Sequence, residues 1–190
     1  GTVWVIETAT GKSRAVFPDK RNVRSLAWSP DGSKLAMLVL HNESFQPVIW
    51  DRATGRATTV AAPAGTYVAE NSDVRWTHNG TSIVFSLHKD EWKRATRETF
   101  DRYTRGPVFV QSSSDPFLAW DGLRRSASRL SVVAYDLATG VPKWSIGDEA
   151  HYESTVAGEG PRATPTISRG RVFTLGSTGL LNSLDLETGR

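Results

Sequence analysis

Asp51, Asp136 and Asp185 are the residues best placed by type for general acid–base chemistry, each at the end of an apolar run, with Glu7 in the same setting. A working acid–base pair needs two carboxylates whose surroundings push their pKa values apart. These four instead share one context: acid, two free positions, Thr, Gly, as Glu7 to Gly11, Asp51 to Gly55, Asp136 to Gly140 and Asp185 to Gly189. A carboxylate at a strand end accepts backbone N–H groups of the turn that follows, and a Thr hydroxyl does the same more weakly. Gly supplies the positive φ that reverses the chain. The repeated setting assigns the acids to turns, and no catalytic residue is expected among them.

Other chemistries find equally little. The absence of cysteine removes disulfides, thiolate metal sites and cysteine nucleophiles. His41, His78, His88 and His151 lack the His-x-x-x-His spacing of a metal site and are expected in water-exposed loops or turns. Gly176-Ser177-Thr178-Gly179 misses the Gly-x-Ser-x-Gly spacing of a nucleophile elbow and reads as a hairpin turn. No metal and no cofactor is expected. Trp4, Trp50 and Trp144 stand at repeat-related positions and are expected to pack in the core.

The elements that position these residues are short. The longest apolar run, Leu35 to Leu40, has the length of a buried strand, and no stretch approaches the roughly 18 apolar residues of a spanning helix. A hydrophobic fraction of 38% with 23% charged residues suits a folded, soluble chain. The turn glycines 11, 55, 140 and 189 are separated by 44, 85 and 49 residues. A period near 44, with one enlarged unit, fits the roughly 40 to 50 residues of a propeller blade. A second turn, Trp28-Ser29-Pro30-Asp31-Gly32, recurs as Trp76-Thr77-His78-Asn79-Gly80, and strands such as Lys34 to Leu40 and Ser82 to Ser86 complete hairpins. The expected fold is all-β: a β-propeller arc of about four blades of four-stranded antiparallel sheet with a short helical insertion. The expected units are a blade end at 1–17, a blade at 23–61, a blade at 72–144 carrying a helical insertion at 88–130, and an incomplete blade at 161–190. The chain opens at Gly1 and closes inside the repeated motif, and reads as a piece of something longer.

The insertion departs from the repeat. Asp90 to Arg105 reads as a helix with Asp90 as N-cap, stopped by Gly106 and Pro107. Trp92, Ala95, Phe100 and Tyr103 share one face, while Arg94/Glu98, Arg97/Asp101, Glu98/Arg102 and Asp101/Arg105 lie four apart on a solvated one. Between His88 and Leu130 nine Lys/Arg face six Asp/Glu, which accounts for the whole net charge of +3. Arg124, Arg125 and Arg129 follow Trp120. The plain reading is an excursion packed on the propeller edge; the sharper one is a partner surface made by Trp120 and these arginines. Nucleic acid is not expected, because acids interleave with the bases.

Two resemblances follow from these residues. Trp28-Ser29-Pro30-Asp31-Gly32-Ser33-Lys34-Leu35-Ala36, with Val48-Ile49-Trp50-Asp51 and Thr54-Gly55, resembles the blade of TolB-type propellers and of prolyl-oligopeptidase-family propellers, over residues 1–87. Ala134-x-Asp136-x-x-Thr139-Gly140-x-x-x-Trp144 is similar to the tryptophan-docking motif of pyrroloquinoline-quinone-type repeats, over residues 132–190, with Val141 in place of the usual Lys. That resemblance implies that Trp144 packs flat on the neighbouring blade. Together they imply a non-catalytic binding or scaffolding propeller of an exported bacterial protein, periplasmic or extracellular. The alternatives are the substrate-gating propeller of a prolyl-oligopeptidase-family serine peptidase, or an arc of a quinone-dependent dehydrogenase. A protein or peptide partner is expected, and open blade edges are expected to favour self-association.

Overall fold

The computed structural model describes residues 1–69, 72–105, 131–147, 165–175 and 179–190. Over these the chain folds into four antiparallel sheets in sequence order. The first pairs β1 (Trp4–Ile6) with β2 (Ser13–Ala15). The second is a meander of β3 (Val23–Trp28), β4 (Lys34–His41), β5 (Ser44–Asp51) and β6 (Ala57–Thr59). In the third, β7 (Thr66–Val68) and β8 (Arg75–Trp76) share one edge of β9 (Ser82–Lys89), followed by β10 (Ser131–Asp136) and β11 (Val141–Gly147). The fourth holds β12 (Thr166–Ser168), β13 (Arg171–Leu175) and β14 (Leu181–Asp185).

Side-chain alternation stacks these sheets face to face. Successive residues of a strand point to opposite faces. Along β4, Leu35, Met37 and Val39 join Val16 and Phe17 beside the first sheet, while Ala36 and Leu38 join Ile83, Phe85 and Leu87 of the third. Along β10, Val133 and Tyr135 face the second sheet, and Ala134 packs with Val172 and Leu186 of the fourth. A strand buried on both faces needs an unbroken apolar run, which explains why Leu35 to Leu40 shows no polar alternation. Sheets that are meanders, each sandwiched between its sequence neighbours, form the arc of a β-propeller.

The first strands mark the inner end of the arc, for β3, β8 and β12 converge on one hollow. The third sheet begins at Thr66, and β7 and β8 both pair with β9. There Ala69 N–H donates to the Ser86 carbonyl at 2.9 Å, and Ser86 N–H to Ser72 Oγ at 2.8 Å. A serine hydroxyl thus serves as acceptor for a backbone N–H of β9.

The helix α1 (Asp90–Thr104) continues directly from β9. Asp90 is not its N-cap: Lys89 holds that place without a side-chain cap, and Asp90 N–H donates to the Gly65 carbonyl at 2.9 Å. The reason is that β9 stays paired to Lys89, opposite Thr66, and passes straight into the helix. Asp90 and Glu91 fall in the first turn, where the positive end of the helix favours them. Among the spaced pairs, Asp101 and Arg105 meet at 3.0 Å, but Arg97 turns to Glu43 on the β4–β5 turn. Lys93 Nζ donates to Ser44 Oγ at 2.9 Å beside it, so the helix is held against the second sheet. The side chains of Trp92, Phe100, Arg102 and Tyr103 lie outside the described residues, as does the stretch with Trp120, Arg124, Arg125 and Arg129.

Candidate functional site

The carboxylates that sequence spacing assigns to turns are engaged there. Asp51 accepts from the Thr54 N–H at 2.8 Å and its hydroxyl at 2.9 Å. Asp136 accepts from the N–H groups of Ala138 and Thr139, both at 2.9 Å, and Asp185 from those of Glu187 and Thr188 at 3.0 and 2.9 Å. Each turn closes with a Gly N–H on the acid's own carbonyl, at Gly55, Gly140 and Gly189, all with φ near +72. Backbone donors that favour the charged form, from Thr54, Thr139 and Thr188 first, hold all three carboxyls below the usual range. Glu7 differs. Its longer side chain overreaches the turn N–H, and the Thr10 amide donates to the Glu7 backbone carbonyl instead, leaving only the Thr10 hydroxyl on Glu7 Oε2 at 2.6 Å. In the second type of turn Asp31 accepts from the Ser29 hydroxyl at 2.6 Å, which with Ser33 lowers its pKa to about 2. Asn79 repeats that arrangement with Thr77 and Thr81.

Neighbouring sheets are clasped at these turns. Trp144 Nε1 donates to the Leu186 carbonyl at 2.8 Å, and the ring covers Gly189 so closely that an added Cβ would meet Trp144 Cγ at 2.8 Å. Trp144 is thus packed against the turn of the next sheet. Beside it Lys143 bridges Asp136 at 3.7 Å and Glu187 at 2.8 Å, and its hydrogen bond to Glu187 raises its pKa. Between the first and second sheets the clasp is Arg14: its guanidinium donates to the Arg52 carbonyl and lies 4.5 Å from the Trp50 ring centroid. Between the second and third, the contacts move inward. Trp76 Nε1 donates to the Ala27 carbonyl at 2.8 Å, Val74 N–H to Ser25 Oγ at 2.8 Å, and Arg24 to the Ala69 carbonyl at 3.0 Å. Ser25 takes φ +53 to present that hydroxyl, at the register break of β3.

At the inner end, Trp28 and Ala27 of β3, Arg75 and Trp76 of β8, and Thr166 of β12 border an open hollow of about 550 Å³, with His78 at its rim. Arg75 is the cation there and pairs with Asp73 at 3.6 Å. No carboxylate belongs to the described residues lining this hollow. Its lining is aromatic, hydroxyl-bearing and cationic, which suits binding of an extended chain or a planar group. Sequence spacing gives no sign of this site, because it is assembled from three sheets. The histidine expectation needs one correction. His41 and His78 are exposed, but His88 is buried on β9 against Tyr67, ring centroids 5.6 Å apart, and burial pushes its pKa down to about 4. His151 and Ser177 lie outside the described residues. Trp50 and Trp144 are core residues as expected, whereas Trp4 is 57% exposed. Trp4 lies on the face of β1 opposite to Val3 and Val5, which meet the second sheet.

No protein-family model and no curated protein matches the sequence. Solved structures do match the fold. A putative dipeptidyl aminopeptidase IV from Bacteroides ovatus superposes on all of this chain and 30% of its own length, at 11% identity and a TM-score of 0.54. An oligogalacturonate lyase from Vibrio parahaemolyticus superposes on 96% of this chain and 46% of its own, at 13% identity and a TM-score of 0.50. TolB from Acinetobacter baumannii, whose blade type residues 1–87 resemble, is also among the similar structures, at 12% identity over 97% of this chain and 48% of its own, with a TM-score of 0.36. The chain therefore spans less than half the length of each, and at these identities the likeness is one of fold. Among the described residues no helix is long and apolar enough to cross a membrane.

Proposed function

We propose that this chain is a non-catalytic binding and scaffolding arc of a β-propeller from an exported bacterial protein, periplasmic or extracellular, and that it holds a protein or peptide partner at the inner hollow. The observation that carries the reading is the division of labour among polar groups. The carboxylates of Asp51, Asp136 and Asp185 are committed to backbone N–H groups, which lower their pKa values, while the hollow gathers Trp28, Trp76, Arg75 and His78. A general acid or base near neutral pH needs the opposite, a carboxyl whose pKa is raised. Indole faces and a guanidinium recognise backbone amides and aromatic or acidic side chains without reacting with them. Export is supported by the resemblance of residues 1–87 to TolB-type blades.

The alternative is a propeller serving an enzyme, as the gate of a serine peptidase or an arc of a quinone-dependent dehydrogenase. It is supported by the Trp144 clasp in the second case, and both would leave the chemistry to residues outside this chain. One experiment tests the binding reading. A photo-crosslinking phenylalanine analogue replaces His78, with the same substitution at the exposed Lys20 as control. The binding reading expects a discrete adduct at 78 that is lost with Arg75→Glu and absent at 20. Equal labelling at both positions, or turnover of aminoacyl nitroanilides by the chain alone, contradicts it.

A further inference from the structure

We propose that the partner of the inner hollow is an extended peptide segment carrying two opposite charges, with an acidic side chain seated on Arg75 and a basic one beside Asp31. The proposal rests on the reading of the hollow as a binding site and adds the chemistry of what it binds. A second open hollow, of about 410 Å³, lies between the two turns of the second type, bordered by Asp31, Ser33, Lys34 and Asn79. Pro30 and His78 border both hollows. The two therefore form one groove, from the inner ends of β3, β8 and β12 out between the β3–β4 and β8–β9 turns. Both turns belong to sheets whose two faces are covered by their neighbours. A continuous open groove suits the side chains of a passing chain better than a chain end.

The two ends of the groove differ in charge. At the inner end the Arg75 side chain is 52% exposed, and its contact with Asp73, at 3.6 Å, is too long for a hydrogen bond. So exposed a pair is weak, and it exchanges readily for the two parallel bonds that a guanidinium fork gives an incoming carboxylate. At the outer end the balance is negative. Asp31, with its pKa lowered to about 2, is ionised at neutral pH, and Lys34 is drawn to Asp51 at 3.8 Å. The Ser29 hydroxyl and the Ser33 amide and hydroxyl donate three bonds to the Asp31 carboxylate. A carboxylate has about four acceptor positions, so one stays open to an ammonium or guanidinium. Asn79 holds the same place in the facing turn without a charge.

The test pans random heptapeptides displayed on phage against the immobilised chain, then titrates synthetic, end-blocked copies of the selected sequence by fluorescence anisotropy. The expected result is one selected family with an Asp or Glu and a Lys or Arg at a fixed separation. Replacing the acid by Gln should weaken binding about ten-fold, the worth of a hydrogen bond to a charged group. In the Arg75→Gln chain that difference should vanish, and Arg75→Lys should restore part of it. Replacing the base by Gln should weaken binding about three-fold, as for an exposed ion pair. Asp31→Asn should erase this second difference and leave the first, and its turn should persist because the third sheet builds the same turn on Asn79. Unchanged circular dichroism confirms that each variant is folded. A selected sequence lacking either charge overturns the proposal and leaves the binding reading standing. So does a charge whose removal costs as much in the matching variant as in the original chain. No selected family at all removes both.

Discussion

Arg14 and Trp144 occupy one position of the repeat. Arg14 lies opposite Val5 and Trp144 opposite Ala134, in each case two residues before the acid of the turn. Each donates to the carbonyl of the residue after the acid in the next sheet, Arg52 or Leu186, and each lies against that turn's glycine, Gly55 or Gly189. The clasp is thus a place in the architecture that a cation fills in one blade and an indole in another. Their consequences for stability differ with the space each leaves.

Gly189→Ala should cost more than Gly55→Ala. Both glycines hold φ near +72, so either alanine bears a left-handed strain of roughly 1–2 kcal/mol. At Gly55 the added methyl meets only Arg14 Nη1 at 3.8 Å, whereas at Gly189 it runs into Trp144 at 2.8–2.9 Å. Overpacking adds about 1–3 kcal/mol at Gly189. Urea unfolding of the two variants measures the difference, and equal losses would remove the close approach from the account.

Trp144→Phe should destabilise by about 1 kcal/mol, the worth of its hydrogen bond to the Leu186 carbonyl. Trp144→Ala should cost about 3–5 kcal/mol. In the Trp144→Ala background the penalty of Gly189→Ala should shrink to its backbone share, a coupling that a double-mutant cycle reads directly. Additive losses would mean that the two residues do not share a contact.

His88 should make stability fall as pH drops from about 6.5 to about 4. Its folded pKa lies near 4 because burial disfavours the imidazolium, while the unfolded chain protonates near the ordinary value of 6.5. Across that window the unfolded state binds more protons, so the contribution is complete above the upper limit and is lost toward the lower. Melting temperatures between pH 4 and 7 should show the slope, and His88→Gln should flatten it. A slope unchanged in the variant would place the proton uptake elsewhere.

The strands and turns were legible because their causes are local. Asp51, Thr54 and Gly55 build their turn from side chains three or four residues apart, and Leu35 to Leu40 announces a strand buried on both faces. The clasp was half legible. Trp144 stands four residues after its glycine and Arg14 three, and only the register shift between Ala134 and Tyr135 brings them to the same place. His88 is the first residue of the expected insertion and passes for a loop residue, yet β9 carries its buried run of Ser82 to His88 as far as the helix. Trp4 was expected in the core on the strength of its repeat position, but alternation along β1 puts it on the face turned away from the second sheet. The inner hollow had no signal at all, since Trp28, Arg75 and Thr166 come from three sheets far apart in the chain.

The carboxylates of Asp51, Asp136 and Asp185 carry the central proposal, that this arc binds a partner and does not catalyse. Side-chain NMR titration of Asp51, Asp136 and Asp185 tests it most directly. The account predicts that all three titrate below the ordinary value of about 3.9, so that their contribution to stability is present above that pH and lost as pH falls through their folded values. A single one of them titrating upward, toward neutrality, would contradict it.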